Sequence, residues 1–157
     1  MNVTIYSDGS SRNNPGPGGY GTIIEYIDGN GTLHTREYSQ GYVETTNNRM
    51  ELKGVIRGLE ALTKPCFAEV VSDSKYVTDA FNKHWIDGWV KSDFRRGKKD
   101  EVKNIDLWLR LLKAMEMHSV KYTWVKGHKG HPQNERCDKL ATTAADGDNL
   151  LDDRDDN

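Results

Sequence analysis

Residues 20–42 read YGTIIEYIDGNGTLHTREYSQGY. Two runs rich in β-branched and aromatic residues flank DGNG, whose Asp-Gly and Asn-Gly pairs supply the positive φ angles of a tight turn. These two runs are therefore expected to form an antiparallel hairpin. Upstream, residues 2–8 (NVTIYSD) alternate Val3, Ile5 and Ser7 with Thr4, Tyr6 and Asp8, a pattern that suits a central strand covered on both faces. SRNNPGPGG, residues 11–19, reads as a Pro/Gly loop between that strand and the hairpin.

Downstream the period changes. Leu52, Val55, Ile56, Leu59 and Leu62 recur at helical spacing, predicting a helix over residues 48–63, with Thr46 or Asn47 as cap and Pro65 beyond its end. FAEVVS (67–72) predicts a fourth strand, 74–83 a short helix, and Ile105, Trp108, Leu109, Leu112 and Met115 a third helix. SVKYTWVK (119–126) predicts a fifth strand, and Pro132 opens a last helix buried through Cys137, Leu140, Ala141 and Ala144. A hairpin-rich start followed by strand–helix alternation implies an α/β chain with a mixed sheet and packed helices.

The chain has 157 residues, enough for one domain with a substantial core, and contains no long apolar run that would span a membrane. No secretory leader is apparent, and Cys66 and Cys137 lie outside any CxxC pair, which points to free thiols and a cytoplasmic setting. The net charge of −2 hides an asymmetry. Residues 146–157 carry six Asp and one Arg, an acidic tail expected to be disordered, so that 1–145 forms the folded domain. Residues 83–99 carry Lys83, Lys91, Arg95, Arg96, Lys98 and Lys99 against Asp87 and Asp93. Local charge of this kind, and not the total, governs docking of a polyanion.

Asp8 ends the first strand and Asp73 follows the fourth. If those strands are adjacent and parallel, the two carboxylates lie side by side beyond the strand ends, where a hard cation such as Mg2+ or Mn2+ offsets their repulsion. Glu51 shares a helical face with Gly54 and Gly58. Two helix glycines cost about 1 kcal/mol each, offset if that face approaches another backbone closely, which turns Glu51 inward. Asp138 sits at the edge of the last helix's buried stripe, where a charge needs a partner or a metal. Taken singly, an Asp after a strand is usually a turn residue or helix cap, and a Glu in a helix usually a solvated face. Gly9, Asn14 and Asn48 are short groups on loops beside this region. The spacing of His128, His131 and Cys137 fits no closed zinc site.

YSDGS, NPGPGGYG, TTNNRMEL, SDSKYV and WVKGHKGHPQNERCD, in that order, resemble the type 1 ribonuclease H family in its bacterial form. The resemblance covers nearly the whole chain. It implies the ribonuclease H-like fold, with five strands in a mixed sheet (three antiparallel, then two parallel) flanked by helices. It implies an endonuclease that hydrolyses the RNA strand of RNA–DNA hybrids, leaving 5′-phosphate and 3′-hydroxyl ends. Asp8, Glu51, Asp73 and Asp138 would bind two Mg2+ ions, replaceable by Mn2+, and His128 would be an auxiliary residue. Asn14, Thr46, Asn47 and Asn48 would contact substrate, and a basic protrusion over about 83–103, with Trp85, Trp89, Arg95, Arg96, Lys98 and Lys99, would meet the hybrid. Trp85 and Trp89 are equally suited to packing the protrusion. Lys75 stands where the family often has Gln, and Phe94 where a third Trp is common. The alternative is another nuclease, or a nucleic-acid-binding module, on the same fold. A monomer is expected.

Overall fold

The computed structural model describes residues 1–96, 100–127 and 131–154. Expectations for His128, Lys98, Lys99 and the side chains of Arg95 and Arg96 lie outside what it describes. Three strands come first: β1 (Asn2–Ser11), β2 (Gly16–Ile27) and β3 (Leu33–Thr45). They are followed by α1 (Asn47–Glu60), β4 (Phe67–Ser72), α2 (Lys75–Asn82) and α3 (Trp85–Lys91). The two-residue strands β5 (Arg95–Arg96) and β6 (Asp100–Glu101) form a small antiparallel ribbon. Then come α4 (Ile105–Met115), β7 (Ser119–Trp124), α5 (Pro132–Ala145) and β8 (Leu150–Leu151).

The main sheet has the order β7-β4-β1-β2-β3-β8. β1, β2 and β3 pair antiparallel, whereas β4 joins β1, and β7 joins β4, in parallel. The five expected strands are thus present in the expected sense, and β8 adds a short sixth at the edge of β3.

The hairpin turn is built by Asp28, whose Oδ1 accepts from the N–H groups of Asn30 (2.8 Å) and Thr32 (3.0 Å). Gly31 supplies the left-handed residue, with φ of 80°. The strands run further than alternation alone suggests, because the expected Pro/Gly loop enters β2 from Gly16 onward. A Cβ on Gly21 would lie 2.3 Å from the Cys137 carbonyl oxygen of α5. Gly19, Gly21 and Gly41 form the strip on which the α5 backbone rests.

α1 and α5 pack on the sheet, and α1 also packs against α4. The main core joins Ile5, Leu52, Val55, Ile56, Leu59, Val70 and Leu111 around the fully buried Trp108. Trp89, half-buried, packs against this core with its ring meeting Trp108 edge-on at 5.1 Å, and Ile86, Phe94 and Val102 are buried in it. Trp89 thus has the packing role that the sequence left open beside substrate contact. Trp85 remains 45% exposed, with Lys83 Nζ 5.6 Å from its ring centre.

The expected disordered tail is overturned for residues 146–154. Leu150 and Leu151 pair with Gly41 and Tyr42 of β3. Asp153 is then folded in, 6% exposed. Its carboxylate meets Arg49 Nε at 2.6 Å and Lys53 Nζ at 2.7 Å, and accepts from Thr45 Oγ1 at 2.7 Å. Arg49 also grips Asp106 with both terminal nitrogens, at 3.0 and 2.7 Å. One acid of a run that reads as solvation, Asp153, is thus matched to two cations of α1.

Burial alone would raise the Asp153 carboxyl, but hydrogen bonds from Arg49, Lys53 and Thr45 outweigh it and hold it below its ordinary value. Arg49 lowers Asp106 in the same way. For a depressed carboxylate the unfolded chain binds more protons, so the stabilisation is complete above the ordinary Asp value of about 3.9 and is lost as pH falls through the folded value. Thermal melts are expected to hold steady down to about pH 4 and to fall steeply below it, with a shallower acid limb for Asp153→Asn. An acid limb unchanged by that substitution would remove Asp153 from the account.

Candidate active site

Parallel pairing of β1 with β4 matches Tyr6 to Val71, and two residues further along both chains stand Asp8 and Asp73. Glu51 reaches the same place from the second turn of α1. Close helix–strand contact makes this possible: a Cβ on Gly9 would lie 2.4 Å from Glu51 N, and one on Gly54 would lie 2.2 Å from Ser7 Oγ. The paired glycines of α1 therefore do turn Glu51 toward the sheet.

The carboxylates of Asp8, Glu51 and Asp73 bring oxygen atoms within 4.8 Å of one another. Asp8 and Glu51 are buried, 5% and 8% exposed. The Gly9 N–H is shared between Asp8 Oδ1 and Glu51 Oε1, each at 2.9 Å, while Glu51 Oε2 is buried with no hydrogen-bond partner. Burial, and then the charges of Asp8 and Asp73, push the Glu51 carboxyl well above the usual carboxylate range. An orphaned carboxylate oxygen beside two more carboxylates fits a hard divalent cation, because oxygen ligands and positive charge would remove both penalties.

Asp138, half-buried on α5, lines the same cleft of about 510 Å3 but is not part of the tight three-carboxylate group. Gly9, Asn47, Asn48 and Lys75 line this cleft as well. Asn14 and Thr46 act one step back. Thr46 Oγ1 caps α1 by accepting from Arg49 N at 3.3 Å, and Asn14 Oδ1 accepts from Asn47 N at 3.0 Å. Trp85 and Trp89 are not among the cleft residues.

Several contributors were not singled out from sequence, Ser74 and Tyr76 of the cleft wall among them. Ser10 and Ser11 line the cleft directly after Gly9, a signal present in the DGSS string. Trp124 donates its indole N–H to the Asp73 carbonyl oxygen at 3.0 Å, bracing the turn that carries Asp73. The Lys75 ammonium lies 4.7 Å from the centre of that same indole. Nothing local to β7 marks Trp124, since its partner is 51 residues away.

Residues 1–146 match the RNase H family. The chain belongs to the RNase H family. A protein named ribonuclease H from Lachnoclostridium phytofermentans is 66% identical over 154 residues, 98% of each chain. Another from a Sulfurovum species is 54% identical, covering 92% of this chain and 90% of its own. Among solved structures, LC9-RNase H1, described as a type 1 RNase H with the type 2 active-site motif, is 34% identical with a TM-score of 0.82. That match covers 92% of this chain and 72% of the other. As an RNase H, the protein is an endonuclease and a phosphodiester hydrolase of a metal-dependent family. No helix among the described residues is long and apolar enough to cross a membrane.

Proposed function

We propose that this RNase H hydrolyses the RNA strand of RNA–DNA hybrids, with Asp8, Glu51, Asp73 and Asp138 holding two Mg2+ ions, replaceable by Mn2+. The observation that carries the reading is the buried, partnerless Oε2 of Glu51 set among the carboxylates of Asp8 and Asp73. Two such cations, when bound, supply a nucleophilic water and charge stabilisation at the leaving oxygen, which yields 5′-phosphate and 3′-hydroxyl ends.

The protein's own part is orientation. The Gly9 N–H holds Asp8 and Glu51 in register, and Trp124 fixes the Asp73 turn. Asn47 and Asn48, with Gly9, offer short polar groups and close backbone approach to the 2′-hydroxyls of an RNA minor groove. Asn14 and Thr46 set the start of α1 that presents them. Lys75 contributes a cation at the rim. Trp85, exposed beside Lys83, suits stacking and phosphate contact with the DNA strand, in keeping with roles for Arg95, Arg96, Lys98 and Lys99. His128 is assigned an auxiliary proton-transfer or product-release role. The buried free thiols of Cys66 and Cys137 suit a cytoplasmic enzyme, and we assign it as a monomer.

The deciding experiment is cleavage of a 5′-labelled RNA, with Mg2+, as RNA–DNA hybrid, RNA duplex and single strand. Cutting of the hybrid alone is expected; cutting of all three would move the substrate elsewhere. A second expectation concerns the site without metal. Glu51→Gln removes a buried charge from beside two others, so in EDTA it should melt about 2–4 °C above the wild type, the response of a chain this size to about 1 kcal/mol. Mg2+ should raise the melting temperature of the wild type and leave the variant nearly unmoved. Equal Mg2+ responses would take Glu51 out of the ligand set.

A further inference from the structure

Arg12 follows Ser11 of the cleft wall and sits in the short connection from β1 to β2. That connection is clamped to α1. Ser11 N donates to Asn47 Oδ1 at 2.7 Å, and Asn47 N donates to Asn14 Oδ1 at 3.0 Å. The backbone of Arg12 is also held, its N–H donating to the Pro17 carbonyl at 2.7 Å. The guanidinium therefore projects from a fixed base. It reaches Asp146 at the end of α5, with Nε donating to Oδ1 at 2.7 Å and a terminal nitrogen donating to Oδ2. Both side chains are exposed, 46% and 57%. The charge of Asp138 also acts on this guanidinium, which places it within electrostatic reach of the cleft.

Three facts give this pair a consequence for binding. The cleft concentrates negative charge at Asp8, Glu51, Asp73 and Asp138, so a polyanion entering it needs cations at the rim. Lys75 supplies one from the start of α2, and Arg12 stands at the β1–β2 side. A two-pronged guanidinium grip on a carboxylate has the geometry of a grip on a phosphodiester. An ion pair this exposed is weak and screened by salt, so a phosphate can compete for it.

We propose that Arg12 is a phosphate-binding residue for the nucleic acid in the cleft, and that Asp146 is the carboxylate it exchanges for a backbone phosphate on docking. This rests on the hybrid-nuclease reading above.

The test is hybrid affinity by fluorescence anisotropy in EDTA, where no cleavage occurs, from about 50 to about 200 mM salt. Arg12→Ala should weaken binding about fivefold at the low-salt end and make the log–log salt slope shallower by about one. Asp146→Asn should tighten binding about two- to threefold, and that gain should vanish in the double variant, which separates release of Arg12 from mere loss of a negative charge. A salt slope unchanged by Arg12→Ala overturns the proposal. So does an Asp146→Asn variant that loses affinity as Arg12→Ala does, since the pair would then only brace the loop. Wild-type protein that binds no hybrid would take down the hybrid reading and this inference together. Wild-type protein that binds hybrid with an Arg12-independent slope would take down this inference alone.

Discussion

Asp8→Asn is expected to lower hybrid cleavage by about 10^3-fold or more while leaving hybrid binding intact. The carboxylate it removes belongs to the three-acid group and stands on β1, the strand that pairs with β4 and packs against α1. Metal-assisted stabilisation of a phosphoryl-transfer transition state is worth several kcal/mol, and each 1.36 kcal/mol is about tenfold in rate. Asn has the size of Asp and keeps an oxygen that can accept from the Gly9 N–H, as Asp8 Oδ1 does at 2.9 Å. The change therefore removes a charge without opening a cavity or freeing a backbone donor. Loss of a negative charge in the cleft should, if anything, favour a polyanion. Single-turnover cleavage with Mg2+, beside anisotropy in EDTA, measures the two quantities separately. Cleavage near the wild-type rate would remove Asp8 from the metal site. Loss of binding together with cleavage would mean that the substitution disturbs the cleft wall and not the chemistry.

Asp153→Ala should destabilise the protein by about 3 kcal/mol, near the lower end for breaking a buried ion pair. For a chain of this size that corresponds to a melting temperature lower by about 10 °C. The size of the effect follows from what is left behind. Lys53 is only 3% exposed on its side chain, and the Asp153 carboxylate faces it at 2.7 Å. Without that carboxylate the ammonium stays inside with weaker compensation, such as the Tyr42 ring 4.2 Å from Nζ. Arg49 loses one of its two carboxylates but keeps Asp106. Because Arg49 and Lys53 bracket Glu51 on α1, a modest fall in activity should accompany the loss of stability. Thermal and denaturant unfolding of wild type and variant provide the check. A change below about 0.5 kcal/mol, the usual range for surface substitutions, would show that the tail does not hold α1.

The elements themselves were written locally. Alternation in residues 2–8 and 20–42, the DGNG turn and the helical spacing from Leu52 to Leu59 each report which face of a segment is buried, and those elements occur where the pattern places them. The site was partly legible for the same reason. Asp8 and Asp73 follow apolar strands directly, and the glycines at 54 and 58 mark the approach that turns Glu51 inward. Family resemblance then joined four separate strings into one active centre.

Local pattern reports that a face is covered but not what covers it, and that choice was left to the tertiary structure. Residues 16–19 read as a loop because Pro and Gly disfavour strands, yet they pair within β2, where Gly19 lets the Ala141 carbonyl of α5 approach to 2.6 Å of where a Cβ would stand. Trp85 and Trp89 are equivalent by composition; only the position of Trp108 sets Trp89 half-buried against the core and leaves Trp85 exposed. The acidic tail carries too little apolar surface to predict its own order, and it is ordered by Arg49 and Lys53, about 100 residues earlier in the chain. The sequence by itself determined the five main strands, four of the five helices and the acids at their ends. Which of these meet depended on the parallel pairing of β1 with β4 and on the docking of α1 and the tail, because contacts between distant segments are selected by the packing of the whole chain and leave no periodic trace in either segment alone.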